Sequence, residues 1–190
     1  MSKWLSIALL VMAATEPAFG HDFDGPGGRE GGGRHAHRVL KVFDANGRPV
    51  GPLVVVGSQA GVVLTVDGAR TFVPIGRSLP DKYWHASRYG WFAGGPAYPT
   101  PDCSGPPVIA NPPPVFRPSL IDREGASVTL LLATDAPTRA ITVRSDSMGK
   151  SCRPLTDGHS GPPPYNAAVW SVQTTYPLST IYPEPLTIHY

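Results

Sequence analysis

The chain has 190 residues, 41% of them hydrophobic, with 23 prolines, 21 glycines and a formal net charge of +2. That apolar content is too high for wholesale disorder, and the density of Pro and Gly excludes a helical bundle, because both residues break helix interiors. No run of Lys or Arg forms a stripe able to neutralise successive phosphates, so the sequence carries no footprint of nucleic-acid binding.

The N-terminus reads as an export signal. Lys3 supplies a positive start, Trp4–Ala14 is apolar, and Ala18-Phe19-Gly20 places small residues where a signal peptidase needs them. A signal peptide over residues 1–20 is predicted, with cleavage between Gly20 and His21. The apolar run is shorter than the roughly 20 residues that span a bilayer, and no later segment approaches that length. The mature chain is therefore expected in the periplasm or outside the cell, without a membrane span. Residues 21–37 (HDFDGPGGREGGGRHAH) contain six glycines and almost nothing apolar, which predicts a flexible linker.

From Arg38 the texture changes. Arg38–Phe43, Gly51–Val56, Gly61–Val66 and Ala69–Ile75 are short β-branched runs separated by Asp44-Ala45-Asn46-Gly47, by Gly57-Ser58-Gln59-Ala60 and by Asp67-Gly68. Asn-Gly and Asp-Gly accept the positive φ of tight hairpin turns, so a four-stranded antiparallel meander is predicted. Asp44-Ala45-Asn46-Gly47 also begins like a calcium loop, but its Gly comes too early and Val55 stands where a bidentate Glu is needed. A turn is the expected role.

Tyr83–Phe92 predicts a further strand or hairpin. Nine prolines between 96 and 118 predict an extended loop with one short edge strand at Val108–Ala110, since proline cannot donate to a sheet ladder. Ser127–Thr134, Arg139–Arg144, Ala167–Thr175 and Leu186–Tyr190 read as later strands, with a second loop around Pro162, Pro163 and Pro164. The expected fold is all-β: a single domain over 38–190, an antiparallel meander forming a small sandwich or partly open barrel with long Pro/Gly-rich loops.

Val42-Phe43-Asp44-Ala45-Asn46-Gly47 with Val50-Gly51, followed by Asp102-Cys103-Ser104-Gly105, resembles a group of uncharacterised bacterial exported β-rich proteins. Those share a V-x-D-A-N-G-x-x-V-G hairpin opening and a D-C-S-G element. The motifs are turn chemistry, so the resemblance implies a β-rich fold and no particular activity.

Candidate sites are few. Two cysteines in an exported chain point to a disulfide between Cys103 and Cys152, which would join the two proline-rich regions. A nucleophilic Cys103 is the alternative, but no neighbouring base is evident. Cleavage after Gly20 would leave the α-amine and imidazole of His21 together at the new terminus. With His35 and His37, and with Asp22 and Asp24 nearby, this is a candidate Cu or Zn site. An N-terminal His of this kind is similar to the copper brace of secreted polysaccharide monooxygenases, although a glycine-rich linker follows it here. The aromatic cluster Tyr83, Trp84, Tyr89, Trp91 and Phe92 offers either core filling or a platform for sugar rings. Tyr83, Trp84, Tyr89 and Trp91 are the candidate stacking residues. No hydrolase motif is present: Gly57-Ser58-Gln59-Ala60-Gly61 has its Ser one place too early for G-x-S-x-G.

The expected function is a non-catalytic binding or structural module of the cell envelope or extracellular space, with an envelope component or glycan as partner. A metal-binding exported protein is the alternative, and a secreted enzyme acting on polysaccharide the third.

Overall fold

The computed structural model describes residues 38–77, 86–110, 115–149, 151–156 and 162–190. The predicted signal, the linker and its histidines, and Tyr83 and Trp84 lie outside the described residues.

The fold is all-β, and every strand pair is antiparallel. The first hairpin joins β1 (Lys41–Phe43) to β2 (Pro49–Pro52). Its turn is organised by Asp44, whose buried carboxylate accepts the N–H groups of Asn46 and Arg48, both at 2.9 Å. The Nε of Arg48 donates to the other oxygen at 3.2 Å, and Gly47 takes a positive φ of 75°. The carboxylate is thus consumed by its own turn, as Asx-type chemistry requires.

Strands β3 (Val54–Val56), β4 (Gln59–Val66), β5 (Ala69–Arg77) and β6 (Tyr89–Trp91) form a four-stranded sheet in that order. Asp67 and Gly68 both have positive φ between β4 and β5, the geometry that Asp-Gly favours. The meander therefore exists, but it is shifted by one strand from the sequence expectation. The stretch Gly51–Val56 is divided between two sheets: pairing with β1 runs past Pro52 to Leu53, which donates to Leu40 O at 2.8 Å, and Val54–Val56 pair with β4. Strands β1 and β2 consequently belong to a separate three-stranded sheet, completed by β15 (Thr187–His189).

The remaining strands are β7 (Ala97–Tyr98), β8 (Val108–Ala110), β9 (Ser119–Glu124), β10 (Ser127–Ala133), β11 (Arg139–Val143), β12 (Ser145–Met148), β13 (Ser151–Pro154) and β14 (Tyr165–Tyr176). They form the eight-stranded sheet, in the order β13-β12-β7-β8-β14-β10-β9. Strand β11 runs alongside β14 in series with β10, so Asp135–Thr138 carries the chain along one edge of β14 and closes no hairpin. Strand β8 is as short as expected, but it is interior: it pairs with both β7 and β14, and Val108 and Ile109 are fully buried. Prolines on its N-terminal side limit its length without forcing it to an edge.

The main core lies between the sheets. Val62, Leu64, Val73, Ile75 and Trp91 from the four-stranded sheet meet Ile121, Leu130 and Leu132 from β9 and β10. Leu178, on the single helical turn α1 (Leu178–Ile181), and Leu186 close it. Each such side chain contributes roughly 1.5–3 kcal/mol when fully removed from water. A smaller core of Ala97, Val108, Val143, Leu155 and Val169 sits within the eight-stranded sheet's other end. Among the described residues no helix is long and apolar enough to cross a membrane.

Candidate binding cleft

Strand alternation creates a concave feature on one face of the four-stranded sheet. β4 and β5 turn Val62, Leu64, Val73 and Ile75 toward the main core, so Gly61, Phe72, Pro74 and Gly76 face the opposite way. Register sets Gly61 against Pro74 and Gly76 against Gly90, which leaves that face nearly bare of side chains. Two aromatic rings occupy the space. A Cβ on Gly61 would overlap the Phe72 ring and the Val73 carbonyl, and a Cβ on Gly76 would lie 3.0 Å from Cδ2 of Phe92. The rings of Phe72 and Phe92 thus rest on glycine. Replacing Gly76 by Ala should displace the Phe92 ring at a cost of about 1 kcal/mol, lowering Tm by roughly 2–4 °C. A melting curve matching the wild type would show that the ring does not rest there.

A cleft of about 280 Å³ opens over these rings, where the four-stranded sheet meets the eight-stranded one. Leu120 and Gly94 continue the apolar floor, while Gln59, Asp146 and Tyr165 bring polar groups to it. Phe92 is 53% exposed and Tyr165 40%, so the cleft is open to solvent.

The polar wall is built by the β12–β13 hairpin. Asp146 and Arg153 are cross-strand neighbours, and their side chains form a two-point pair, Nε to Oδ1 at 2.8 Å and Nη2 to Oδ2 at 2.5 Å. Hydrogen bonding and charge from Asp146 push the Arg153 pKa up further. Burial, with the charge of Asp146 beside it, raises the pKa of the Tyr165 phenol, which keeps it a neutral donor at ordinary pH.

The hairpin is fastened by the Cys103–Cys152 disulfide, as the cysteine count predicted. Neither sulfur is a free nucleophile. The D-C-S-G element is the turn that presents Cys103. Asp102 Oδ1 accepts the Ser104 N–H at 3.2 Å and its hydroxyl at 2.7 Å, and these bonds hold the Asp102 carboxyl below its usual range. Cys103 adopts a left-handed φ of 55° and donates its N–H to Ser145 Oγ at 3.1 Å. The Ser145 hydroxyl in turn donates to Thr100 O at 2.6 Å.

Of the sequence-predicted aromatics, Trp91 turns into the main core and is 2% exposed, so its ring offers no stacking surface. Its indole N–H donates to Tyr182 O at 3.2 Å. Tyr89 packs partly buried against the same core. Phe92, one residue on, takes the opposite face and is the exposed ring among the cluster's described members. Among the described residues no three His, Cys, Asp or Glu side chains come together as a metal-holding group. His21, His35 and His37 lie outside the described residues.

Sequence reasoning missed Asp146, Arg153, Tyr165 and Gln59. The available signal was Gly149, whose φ of 65° turns the β12–β13 hairpin and brings residues seven apart into register. Compared with family models, with curated proteins and with solved structures, the chain matches none.

Proposed function

We propose that the mature chain is an exported, non-catalytic binding module of the cell envelope or extracellular space, and that the cleft is where it binds. The supporting observation is an exposed ring, Phe92, laid over a glycine face beside a neutralised polar cluster of Asp146, Arg153 and Tyr165. Small-molecule sites characteristically combine such an apolar floor with a few oriented polar groups. The Cys103–Cys152 bond is compatible with an oxidising compartment, and the signal-like residues 1–20 supply the route there. The β-rich fold also agrees with the resemblance to exported bacterial proteins that the D-A-N-G and D-C-S-G turns carry.

The test is co-sedimentation of purified mature protein with insoluble envelope material, comparing wild type with Phe92→Ala and with Tyr190→Ser. Tyr190 is also exposed but does not line the cleft. Wild type and Tyr190→Ser should pellet together, and Phe92→Ala should bind at least about fivefold less, as loss of a central aromatic contact implies. Equal partition of all three proteins, or release of soluble fragments from the pellet, contradicts the reading.

A further inference from the structure

The charges around the cleft narrow its ligand. Among the described residues that line it, Asp146 is the charged one, and Asp146 is matched by Arg153. An anionic ligand would compete with Asp146 for the guanidinium, and a cationic one would have to displace Arg153. Either exchange gives up a two-point charged hydrogen bond, the strongest polar contact of its kind. A wholly apolar ligand fares no better. It would strip water from the carboxylate, the Tyr165 phenol and the Gln59 amide without replacing those bonds, at roughly 1–3 kcal/mol for each group left unpaired.

A ligand with one apolar face and a rim of neutral hydroxyls meets every requirement. Its C–H face lies on the Phe92 ring. Its hydroxyls accept from Arg153 and donate to Asp146, each of which keeps unused hydrogen-bonding capacity after the pair has formed. The size points to a small ligand: about 280 Å³ falls just below the range of roughly 300–1,000 Å³ that holds drug-sized ligands. One or two six-membered rings fit this volume, while a bulky folded partner does not.

Resting on the binding reading above, we infer that the cleft takes a neutral saccharide, seating one pyranose ring on Phe92 with its hydroxyls on Asp146, Arg153 and Tyr165. The test is isothermal titration of the full mature chain, disulfide intact, with four probes. Maltotriose, cellotriose and triacetylchitotriose are neutral, and trigalacturonate carries negative charge. At least one neutral trisaccharide should bind. Phe92→Ala should weaken that affinity about tenfold or more, and Asp146→Asn by a similar factor. Gln59→Ala, a change at an exposed side chain that leaves the fold intact, should weaken it about threefold, the value of one exposed neutral hydrogen bond.

Binding of trigalacturonate alone overturns the inference, as does silence from all four probes. Neutral binding that Phe92→Ala leaves unchanged does so too. In each of these cases Phe92-dependent co-sedimentation would keep the binding reading standing. Loss of that dependence would remove both.

Discussion

Replacing Cys103 and Cys152 together by Ser should lower the free energy of unfolding by about 2–4 kcal/mol. The cysteines are 49 residues apart, and a loop of that length corresponds to roughly 4 kcal/mol of chain entropy removed from the unfolded state. Native strain and residual structure in the unfolded chain reduce that figure, which is why the lower bound is half of it. A single domain is stable by only about 5–15 kcal/mol, so the loss is a substantial fraction of the whole. The effect should also be local. The bond joins the D-C-S-G turn to β13, and the small core beside it is built, among the described residues, from five buried side chains: Ala97, Val108, Val143, Leu155 and Val169. Limited proteolysis of the variant should therefore cut first within 96–110 and 145–156, while β4, β5 and β10 stay protected. Denaturant unfolding measures the first effect, and mass analysis of the fragments measures the second. An unchanged midpoint would mean that packing alone holds the hairpin.

The second large effect is expected at Glu184. This carboxylate receives the Trp91 N–H at 2.6 Å and the Arg123 guanidinium through both oxygens. Arg123 also donates to Trp91 O at 2.9 Å. Both side chains are mostly covered, 28% exposed for Arg123 and 18% for Glu184. The pair thus ties the C-terminal segment, β6 and β9 together around the buried Trp91. Glu184→Ala leaves a largely buried guanidinium without its partner and Trp91 N–H without an acceptor. Fully buried pairs cost about 3–5 kcal/mol when broken this way, and partial exposure here lowers the expectation to about 2–3 kcal/mol. Arg123→Met with Glu184→Met should cost less than the sum of the single changes, because the double variant leaves neither charge stranded. Strict additivity in that cycle would show that the two side chains act independently.

Much of the fold is legible in local residue patterns, because the features that set it are local. Asp67-Gly68 and Asn46-Gly47 turn where turn chemistry demands, and the run Val128–Ala133 is apolar enough to be buried on both faces of β10. Pairing is less legible. Gly51–Val56 is shared between its predecessor and its successor, changing partner after Leu53, and β8 is interior because of partners at 97 and 169–171, far along the chain. The cleft was the least visible feature. Trp91 and Phe92 are both aromatic, and only the parity of β6 decides that one enters the core while the other faces solvent. Asp146 and Arg153 become a pair only through the register of a hairpin whose strands are four residues each, too short and too polar to announce themselves.

Amide chemical-shift mapping most directly tests the claim that this cleft is the binding surface. The labelled mature protein would be titrated with soluble fragments of envelope polysaccharide. Shifts should cluster at Gln59–Gly61, Phe92–Gly95, Asp146 and Tyr165, which are distant in sequence and adjacent only around the cleft. Shifts confined to other surfaces, such as α1 or β15, or no shifts at all, would contradict the account.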